Sequence, residues 1–230
     1  MLPKLCIALD DPCLQHINQL LSRLDPEYCW LKVGSILFTQ HGPKIIKDLR
    51  RQGFAVFLDL KFHDIPNTVA QAVAAAVKLD VAMLTVHAAG GSKMLQAACT
   101  AAENKLSVVA VSCLTSMQAA DMQQVGVQGS VAEIVDMRAD LAIASGCDGL
   151  VCSPHELASL RSKYSEAALV CPGIRLTTSA HQDQVRVSTP EFALSNGADY
   201  LVVGRAITAA SDPDAVLAEL SELCIASATF

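Results

Sequence analysis

Aromatic and charged side chains are scarce in this 230-residue chain. Only 4% of the residues are aromatic and 17% are charged, whereas 52% are hydrophobic, so the core must be built mainly from Ala, Val, Leu and Ile. The formal net charge is −6 and no basic stripe occurs, which argues against an electrostatic nucleic-acid-binding surface. Free nucleotides and sugar phosphates remain candidate ligands, because one or two well-placed cations are enough to bind them.

Signals for export, membrane insertion and disulfide bonding are also missing. No apolar run approaches the ~20 residues that span a bilayer, and the N-terminal apolar stretch is too short for a signal peptide. The nine cysteines are odd in number and include no Cys-x-x-Cys pair, a pattern typical of reduced core thiols. We therefore expect a soluble protein of the cytoplasm that makes no contact with membranes.

Common motifs for metals, dinucleotides and activated serines do not occur. The six histidines form neither His-x-His nor His-Glu-x-x-His, and Gly-x-Gly-x-x-Gly and Gly-x-Ser-x-Gly are absent. Ligands from separate strands can still assemble a metal site, so spacing alone leaves that alternative open. His63 and His87 are interpreted as packing or supporting residues.

Short apolar runs alternate with stretches long enough for helices. The runs predict eight strands, at Leu5–Leu9, Trp30–Val33, Ala55–Leu60, Met83–His87, Val108–Ser112, Gly149–Cys152, Leu169–Pro172 and Tyr200–Val203. Eight such units predict an α/β protein with one (β/α)8 TIM-barrel domain over residues 1–230. A doubly wound open sheet has similar local patterns, but the count of eight and the missing dinucleotide motif favour the barrel.

In such a barrel the functional groups lie at the carboxyl ends of the strands and in the loops that follow. Polar residues and glycines are concentrated at these positions. They are Asp10, Lys32, Gly34, Asp59, Lys61, Asp64, His87, Thr115, Arg175, Gly204 and Arg205.

The most informative segment is Asp59-Leu60-Lys61-Phe62-His63-Asp64. Side chains alternate along a strand, so Asp59 and Lys61 should point the same way. Asp64 follows where the strand ends, so we expect two carboxylates and one ammonium group to cluster at this strand end. Lys32 on the neighbouring strand also needs a partner, and Asp59 is the natural one. Opposite charges ~4 Å apart attract by roughly 4 kcal/mol at an effective dielectric of 20. Such pairing favours a protonated lysine that acts as a fixed cation and proton donor over a Schiff-base lysine; a structural ion-pair network is the alternative.

Gly204-Arg205 is a candidate phosphate site, because glycine lets an anion approach the backbone and arginine forks onto phosphate oxygens. Its place after the eighth strand suits a barrel that binds phosphate there. Arg175 opens a polar stretch that runs to Gln184, which is either a lid over the substrate or an ordinary loop. Thr115 either contacts a polar ring or caps the next helix.

The stretch from Asp59 to Thr68, Asp-Leu-Lys-Phe-His-Asp-Ile-Pro-Asn-Thr, resembles the signature of the orotidine 5′-monophosphate decarboxylase family. The similarity covers nearly the whole chain and includes Ala8-Leu9-Asp10, Leu31-Lys32-Val33-Gly34, Pro172-Gly173-Ile174-Arg175 and Val203-Gly204-Arg205. Related sugar-phosphate barrels share the Asp-x-Lys-x-x-Asp core, whereas Ile-Pro-Asn-Thr with the final Gly-Arg is more specific.

The resemblance implies a carbon–carbon lyase of de novo pyrimidine biosynthesis that converts orotidine 5′-monophosphate into UMP and CO2 without metal or organic cofactor. It implies that Lys61 donates the proton to C6, that Asp59 lies against the departing carboxylate and orients Lys61, and that Lys32 completes the array and touches the ribose. It further implies that Asp10 binds ribose hydroxyls and that Thr115 faces the pyrimidine edge.

The same resemblance implies a homodimer in which Asp64 and Thr68 enter the site of the other subunit. Arg175, Gln184, Gly204 and Arg205 would serve the phosphate and the lid. The chain departs from the family at residues 176–182, which contain no glycine where the family has Pro and then Gly-rich lid residues.

Three other functions remain open on the sequence. A metal-dependent sugar-phosphate decarboxylase or epimerase would share the charged core and the phosphate end, and it would lose activity with a chelator. A non-catalytic nucleotide-binding barrel would not need the paired charges. A Schiff-base aldolase would be trapped by borohydride with a carbonyl substrate.

Overall fold

The computed structural model of the chain describes residues 4–176 and 188–227. In these ranges eight parallel strands, paired in chain order, form a closed barrel, as predicted. Each predicted strand overlaps an observed one. The strands are β1 Lys4–Ala8, β2 Cys29–Gly34, β3 Ala55–Phe62, β4 Met83–His87, β5 Ser107–Val111, β6 Gly149–Val151, β7 Ala168–Cys171 and β8 Tyr200–Val203.

Helices follow the strands and cover the outside of the barrel. They are α1 Leu14–Leu21, α2 Ser35–His41, α3 Pro43–Arg51, α4 Pro66–Lys78, α5 Gly91–Ala102, α6 Ala119–Gln124, α7 Val131–Ala144, α8 Leu157–Lys163, α9 Pro190–Ser195, α10 Arg205–Thr208 and α11 Pro213–Ala226, with 3-10 turns at Ala88–Gly90 and Pro154–Glu156. Helices α2, α6 and α10 are among the shorter ones, with 7, 6 and 4 residues. Within residues 4–176 and 188–227, none of the helices is long and apolar enough to cross a membrane.

The barrel closes because β1 pairs with β8 as well as with β2. Lys4 lies beside Tyr200 and Ile7 beside Val203 in the closing pair. The interior is filled by small and medium apolar side chains, among them Cys6, Ala8, Phe57, Met83, Val109, Val170 and Val202. Alternate residues of the same strands pack outward against the helices. The packed interior forms the floor on which the polar residues of the barrel mouth stand.

Strand β3 departs from regular pairing where the informative segment begins. Leu58 lies beside Leu84 of β4, but the next paired residue of β3 is Phe62, which lies beside Val86. Residues 59–61 are therefore opposite Thr85 alone, as in a β-bulge. Lys61 has a φ of 49°, a left-handed conformation that is uncommon for residues other than glycine. The bulge places the functional segment in an irregular and strained piece of strand.

Candidate active site

A cavity of about 320 Å³ opens at the carboxyl ends of the strands, a volume suited to a small ligand. Its lining includes most of the site residues predicted from sequence. Those predicted residues are Asp10, Lys32, Asp59, Lys61, Thr115, Arg175, Gly204 and Arg205. The strand-end rule for barrels thus brings together side chains that are far apart in the sequence.

One side of the cavity, formed by β1–β3, is a charged wall of Asp10, Lys32, Asp59 and Lys61. The Lys61 Nζ lies 2.9 Å from Asp59 Oδ1, and the Lys32 Nζ lies 3.5 Å from Asp59 Oδ2. Lys32 also donates a hydrogen bond of 3.2 Å to Asp10 Oδ1. Asp59 is therefore shared by two ammonium groups, one on each carboxylate oxygen.

The inner pair of the charged wall is largely shielded from water. The side chains of Lys32 and Asp59 are 10% and 12% exposed, whereas that of Lys61 is 38% exposed. Burial alone would raise the pKa of Asp59, but the nearby Lys32 and Lys61 ammonium groups outweigh it and hold that pKa below its usual value. Burial alone would lower the pKa of Lys32, but Asp59 and Asp10 outweigh it and raise that pKa. Both groups are thus held in their charged forms.

Thr85 of β4 joins the bulge to the charged wall. Its Oγ1 accepts the Lys61 backbone N–H at 2.8 Å and donates to Asp59 Oδ1 at 3.0 Å. Sequence analysis missed this residue, because Thr85 reads as an ordinary β-branched strand residue. Thr85 could have been found as a buried residue with a hydroxyl group, on the strand next to the Asp-x-Lys segment, whose side chain points into the barrel.

The charged wall needs open space beside Lys32, and Gly34 provides it. A Cβ atom on Gly34 would lie 3.2 Å from Lys32 Nζ, closer than side-chain carbons normally pack, and 3.4 Å from Asp10 Oδ1. Gly204 is similarly close to β1, because a Cβ there would lie 3.3 Å from the Cβ of Ala8. Both glycines leave room at the β8–β1–β2 side of the cavity.

The opposite side of the cavity, formed by β5–β7, is an apolar wall of Val111, Val151 and Val170. Val111 and Val170 are buried in the barrel, at 2% and 0% exposure. The loop after β5 adds Thr115 to this side of the lining. The cavity therefore offers fixed charge on one side and a water-poor surface on the other.

The loops after β7 and β8 bring two arginines to the cavity, Arg175 and Arg205. The two loops follow neighbouring strands, because β7 pairs with β8. Gly204 precedes the short helix α10, and Arg205 is its first residue. A larger cleft of about 720 Å³ adjoins this end and shares Arg205 and the charged wall. The arrangement can hold an anionic group at one end while the charged wall faces another part of the ligand.

Three predicted site residues are not in the lining. Asp64 lies beyond the end of β3, is exposed, and accepts the N–H of Ile65 at 2.6 Å. Thr68 is exposed in the first turns of α4. Gln184 lies outside the described residues, as does most of the predicted lid. Within one chain, therefore, the expected cluster contains Asp59 and Lys61 but not Asp64.

His63 and His87 form a stacked pair with ring centroids 5.4 Å apart, so they pack together as interpreted from sequence. The Nδ1 of His87 accepts the N–H of Ala89 at 3.2 Å. Burial, with smaller contributions from Arg138, His63 and Lys61, lowers the pKa of His87 to about 4. In the described part of the chain, no group of three or more His, Cys, Asp or Glu side chains is placed to hold a metal ion.

Comparison with known proteins gives a consistent picture. Residues 3–220 match the model of the orotidine 5′-phosphate decarboxylase / HUMPS family. The chain is 48% identical over 223 residues to orotidine 5′-phosphate decarboxylase of Halorhodospira halophila, covering 95% of this chain and 94% of that protein. It is also 48% identical over 225 residues to the protein of that name from Legionella pneumophila strain Corby, covering 96% of this chain and 98% of the relative.

Solved structures agree with the sequence relatives. The crystal structure of orotidine 5′-phosphate decarboxylase from Lactobacillus acidophilus superposes with a TM-score of 0.86 at 36% identity, covering 96% of this chain and 99% of that one. An uncharacterized conserved protein from Geobacillus kaustophilus gives a TM-score of 0.81 at 34% identity with the same coverage.

Proposed function

The chain belongs to the orotidine 5′-phosphate decarboxylase / HUMPS family, and from that premise we propose that it decarboxylates orotidine 5′-monophosphate to UMP in pyrimidine biosynthesis. The observation that carries the proposal is the position of Lys61. Its ammonium group lies in the cavity, 2.9 Å from Asp59, on a bulged segment of strand. This is the arrangement expected of a fixed proton donor.

The chemistry requires a carbanion to be stabilised and then protonated. The bond between C6 of the pyrimidine and its carboxylate carbon breaks, CO2 leaves, and the bonding electron pair stays on C6. A cation already in place stabilises that charge without reorganising during the reaction. The Lys61 ammonium then gives its proton to C6, forming UMP, and the neutral amine regains a proton from solvent.

The other residues of the charged wall position Lys61 and bind the ribose. Asp59 orients Lys61 and faces the departing carboxylate, Lys32 neutralises Asp59 from the other side, and Asp10 accepts hydrogen bonds from ribose hydroxyls. The ion pairs and the burial of Lys32 and Asp59 support these roles, because a buried charge persists only when it is paired.

The phosphate is assigned to the end of the cavity that carries Gly204, Arg205 and Arg175, and the pyrimidine edge to Thr115. Gln184, from the stretch after Arg175, would act on the phosphate and the lid, as in the family. Binding energy from the phosphate can assist a bond that breaks elsewhere in the substrate, because it holds the ring against the charged wall.

We further propose a homodimer in which Asp64 and Thr68 complete the partner's site. Both are exposed and lie outside the cavity of their own chain, and Ile65 between them is a large apolar side chain left 66% exposed. A second copy of the chain that covers this patch would bury its apolar surface. The cytoplasm is the proposed location, since all nine cysteines are free thiols.

An ultraviolet assay of substrate loss with EDTA present tests the activity. We expect full turnover in EDTA. Loss of activity with the chelator, restored by a divalent metal, would instead support a metal-dependent enzyme of the same barrel type. No absorbance change with folded protein would overturn the decarboxylase proposal.

Mixing two inactive variants tests the shared site. Lys61→Ala and Asp64→Asn chains are each expected to be inactive alone. If Asp64 acts across the interface, a dimer of one chain of each kind contains one intact site, and equal mixing restores about a quarter of wild-type activity. If Asp64 acts within its own chain, no mixed dimer has an intact site and mixing restores nothing.

A further inference from the structure

We propose that Thr85 is a positioning residue of the reaction, whose hydroxyl holds the Asp59 carboxylate and the Lys61 backbone together. The inference rests on the proposed function, because it concerns the geometry of the same proton donor. Thr85 is 1% exposed and is not part of the cavity lining, so it can act only through the residues that it contacts.

The first argument comes from the backbone. Residues 59–61 of β3 are opposite Thr85 alone, and Lys61 has a φ of 49°. A residue other than glycine keeps such a conformation only where its surroundings enforce it. The bulge also removes the Lys61 N–H from regular strand pairing, so this N–H needs another acceptor. The Thr85 hydroxyl, 2.8 Å away, is that acceptor.

The second argument comes from the single proton of a hydroxyl group. Thr85 donates that proton to Asp59 Oδ1 at 3.0 Å, so its lone pair is directed at the Lys61 N–H. Threonine is stiff about χ1, which fixes the direction of both bonds. One oxygen atom thus links the carboxylate that orients the ammonium group to the backbone that carries it.

The third argument comes from Asp59. Its Oδ1 receives both Lys61 Nζ and the Thr85 hydroxyl, which leaves Oδ2 toward Lys32. The charged or titratable groups around Asp59 are Lys32 on β2, Lys61 on β3 and the thiol of Cys6 on β1, while β4 supplies Thr85. Removing the hydroxyl takes away one donor from the carboxylate and leaves the partly buried Lys61 N–H without its acceptor. A misplaced donor slows proton transfer without weakening the contacts that bind the phosphate.

The test uses the full chain and three substitutions. Thr85→Val keeps the shape and removes the hydroxyl, and the Thr85→Ser and Thr85→Ala variants differ from each other by one oxygen atom. We expect Thr85→Val and Thr85→Ala to lower kcat by about 10- to 100-fold with KM changed by no more than about threefold, and Thr85→Ser to stay within about fivefold of wild type.

The pH dependence of kcat distinguishes positioning from general damage. Loss of the hydroxyl removes a hydrogen bond that lowers the pKa of Asp59, so the acid limb of the kcat profile should move to higher pH in Thr85→Val and Thr85→Ala. Ser112→Ala is the matched control. It removes another buried hydroxyl, just after the end of β5, but this hydroxyl donates to the backbone carbonyl of Val151, so the acid limb should not move.

Wild-type kcat in Thr85→Val, failure of Thr85→Ser to restore activity, or an acid limb that stays in place would each overturn the inference. If Thr85→Val does not fold, the Ser and Ala variants decide the question. Carbon-13 NMR titration of the Asp59 carboxyl gives a readout that does not need turnover. A wild-type chain with no decarboxylase activity whose Asp59 titration still moves on loss of the hydroxyl would overturn the proposed function but retain this contact.

Discussion

The two walls of the cavity differ in what holds their side chains in place. The charged wall depends on ion pairs, on the bulge in β3 and on a hydroxyl from the next strand. The apolar wall continues the packed interior of the barrel, where Val170 contacts other apolar side chains. Each charged group must be held at its own specific position, whereas the side chains of an apolar surface need only fill the right volume. Substitutions on the charged wall should therefore reduce catalysis, whereas substitutions on the apolar wall should reduce stability.

The largest expected effect comes from Lys61→Ala on the charged wall. In the proposed mechanism Lys61 is both the fixed cation and the proton donor, so its loss should lower kcat by about 10⁴-fold or more, since each contribution is worth at least ~10²-fold. Circular dichroism and thermal unfolding should show a folded protein, because the Lys61 side chain is 38% exposed. A folded Lys61→Ala variant with activity within tenfold of wild type would remove the distinction between the walls.

The next effect concerns the end of the cavity that carries Arg175 and Arg205, to which we assigned the phosphate in our proposal. Arg205→Ala should lower kcat/KM for the nucleotide by about 10- to 100-fold, the value of a charged hydrogen bond to phosphate. The same variant should process the phosphate-free nucleoside as slowly as wild type does. A parallel loss with both substrates would mean that Arg205 supports the fold or the chemistry rather than the phosphate.

A smaller effect on catalysis is expected on the apolar wall. Val170→Ala removes two methyl groups from a side chain with 0% exposure, which should reduce the free energy of unfolding by about 1–3 kcal/mol. Activity should stay within about threefold of wild type at a temperature where the variant is folded. Denaturant titration measures the first quantity and the ultraviolet assay the second. A large fall in kcat at unchanged stability would show that this wall takes part in the chemistry.

The smallest effect lies behind the charged wall, at His87. Burial, then Arg138, His63 and Lys61, lowers its pKa to about 4, so in the folded chain the ring stays neutral while the unfolded chain gains a proton below about pH 6.5. Stability from this group is therefore complete above about pH 6.5 and declines as the pH falls toward 4. His87→Asn, which can still accept the Ala89 N–H, should lose less stability than wild type between pH 7 and pH 5.

The exposed His155 offers the control for that measurement. His155→Asn makes the same substitution at an exposed position, and its free energy of unfolding at pH 7 shows what the substitution itself costs. Identical curves for wild type and His87→Asn would show that the neutral ring at His87 does not limit acid stability.

The barrel and most of the cavity could be predicted from sequence because both follow from local periodicity. Strand runs are visible residue by residue, and the strand-end rule then placed Asp10, Lys32 and Arg205 at one mouth. Regular alternation along the strand predicted that the side chains of Asp59 and Lys61 point the same way. Their side chains meet, but through a bulge with Lys61 in a left-handed conformation, which regular alternation does not describe.

Two features had no local signal. The role of Thr85 depends on which residue of β4 lies opposite the bulge, and that register is a property of the pair of strands. Asp64 was expected beside Lys61 on spacing, but the chain turns away after β3 and carries it out of the cavity. The proposed role of Asp64 depends on a contact between two chains, and such a contact cannot be derived from periodicity.

The pairing of β1 with β8 has a consequence for biosynthesis of the protein. Asp10 follows the first strand of the barrel and Arg205 the last, so the cavity is assembled from both ends of the chain. During synthesis on the ribosome, one edge of β1 stays unpaired until β8 has emerged. Strands of other molecules can pair with such an open edge. A nascent chain therefore gains no protection from substrate until β8 has been synthesised, and the chain is most prone to aggregate during this interval.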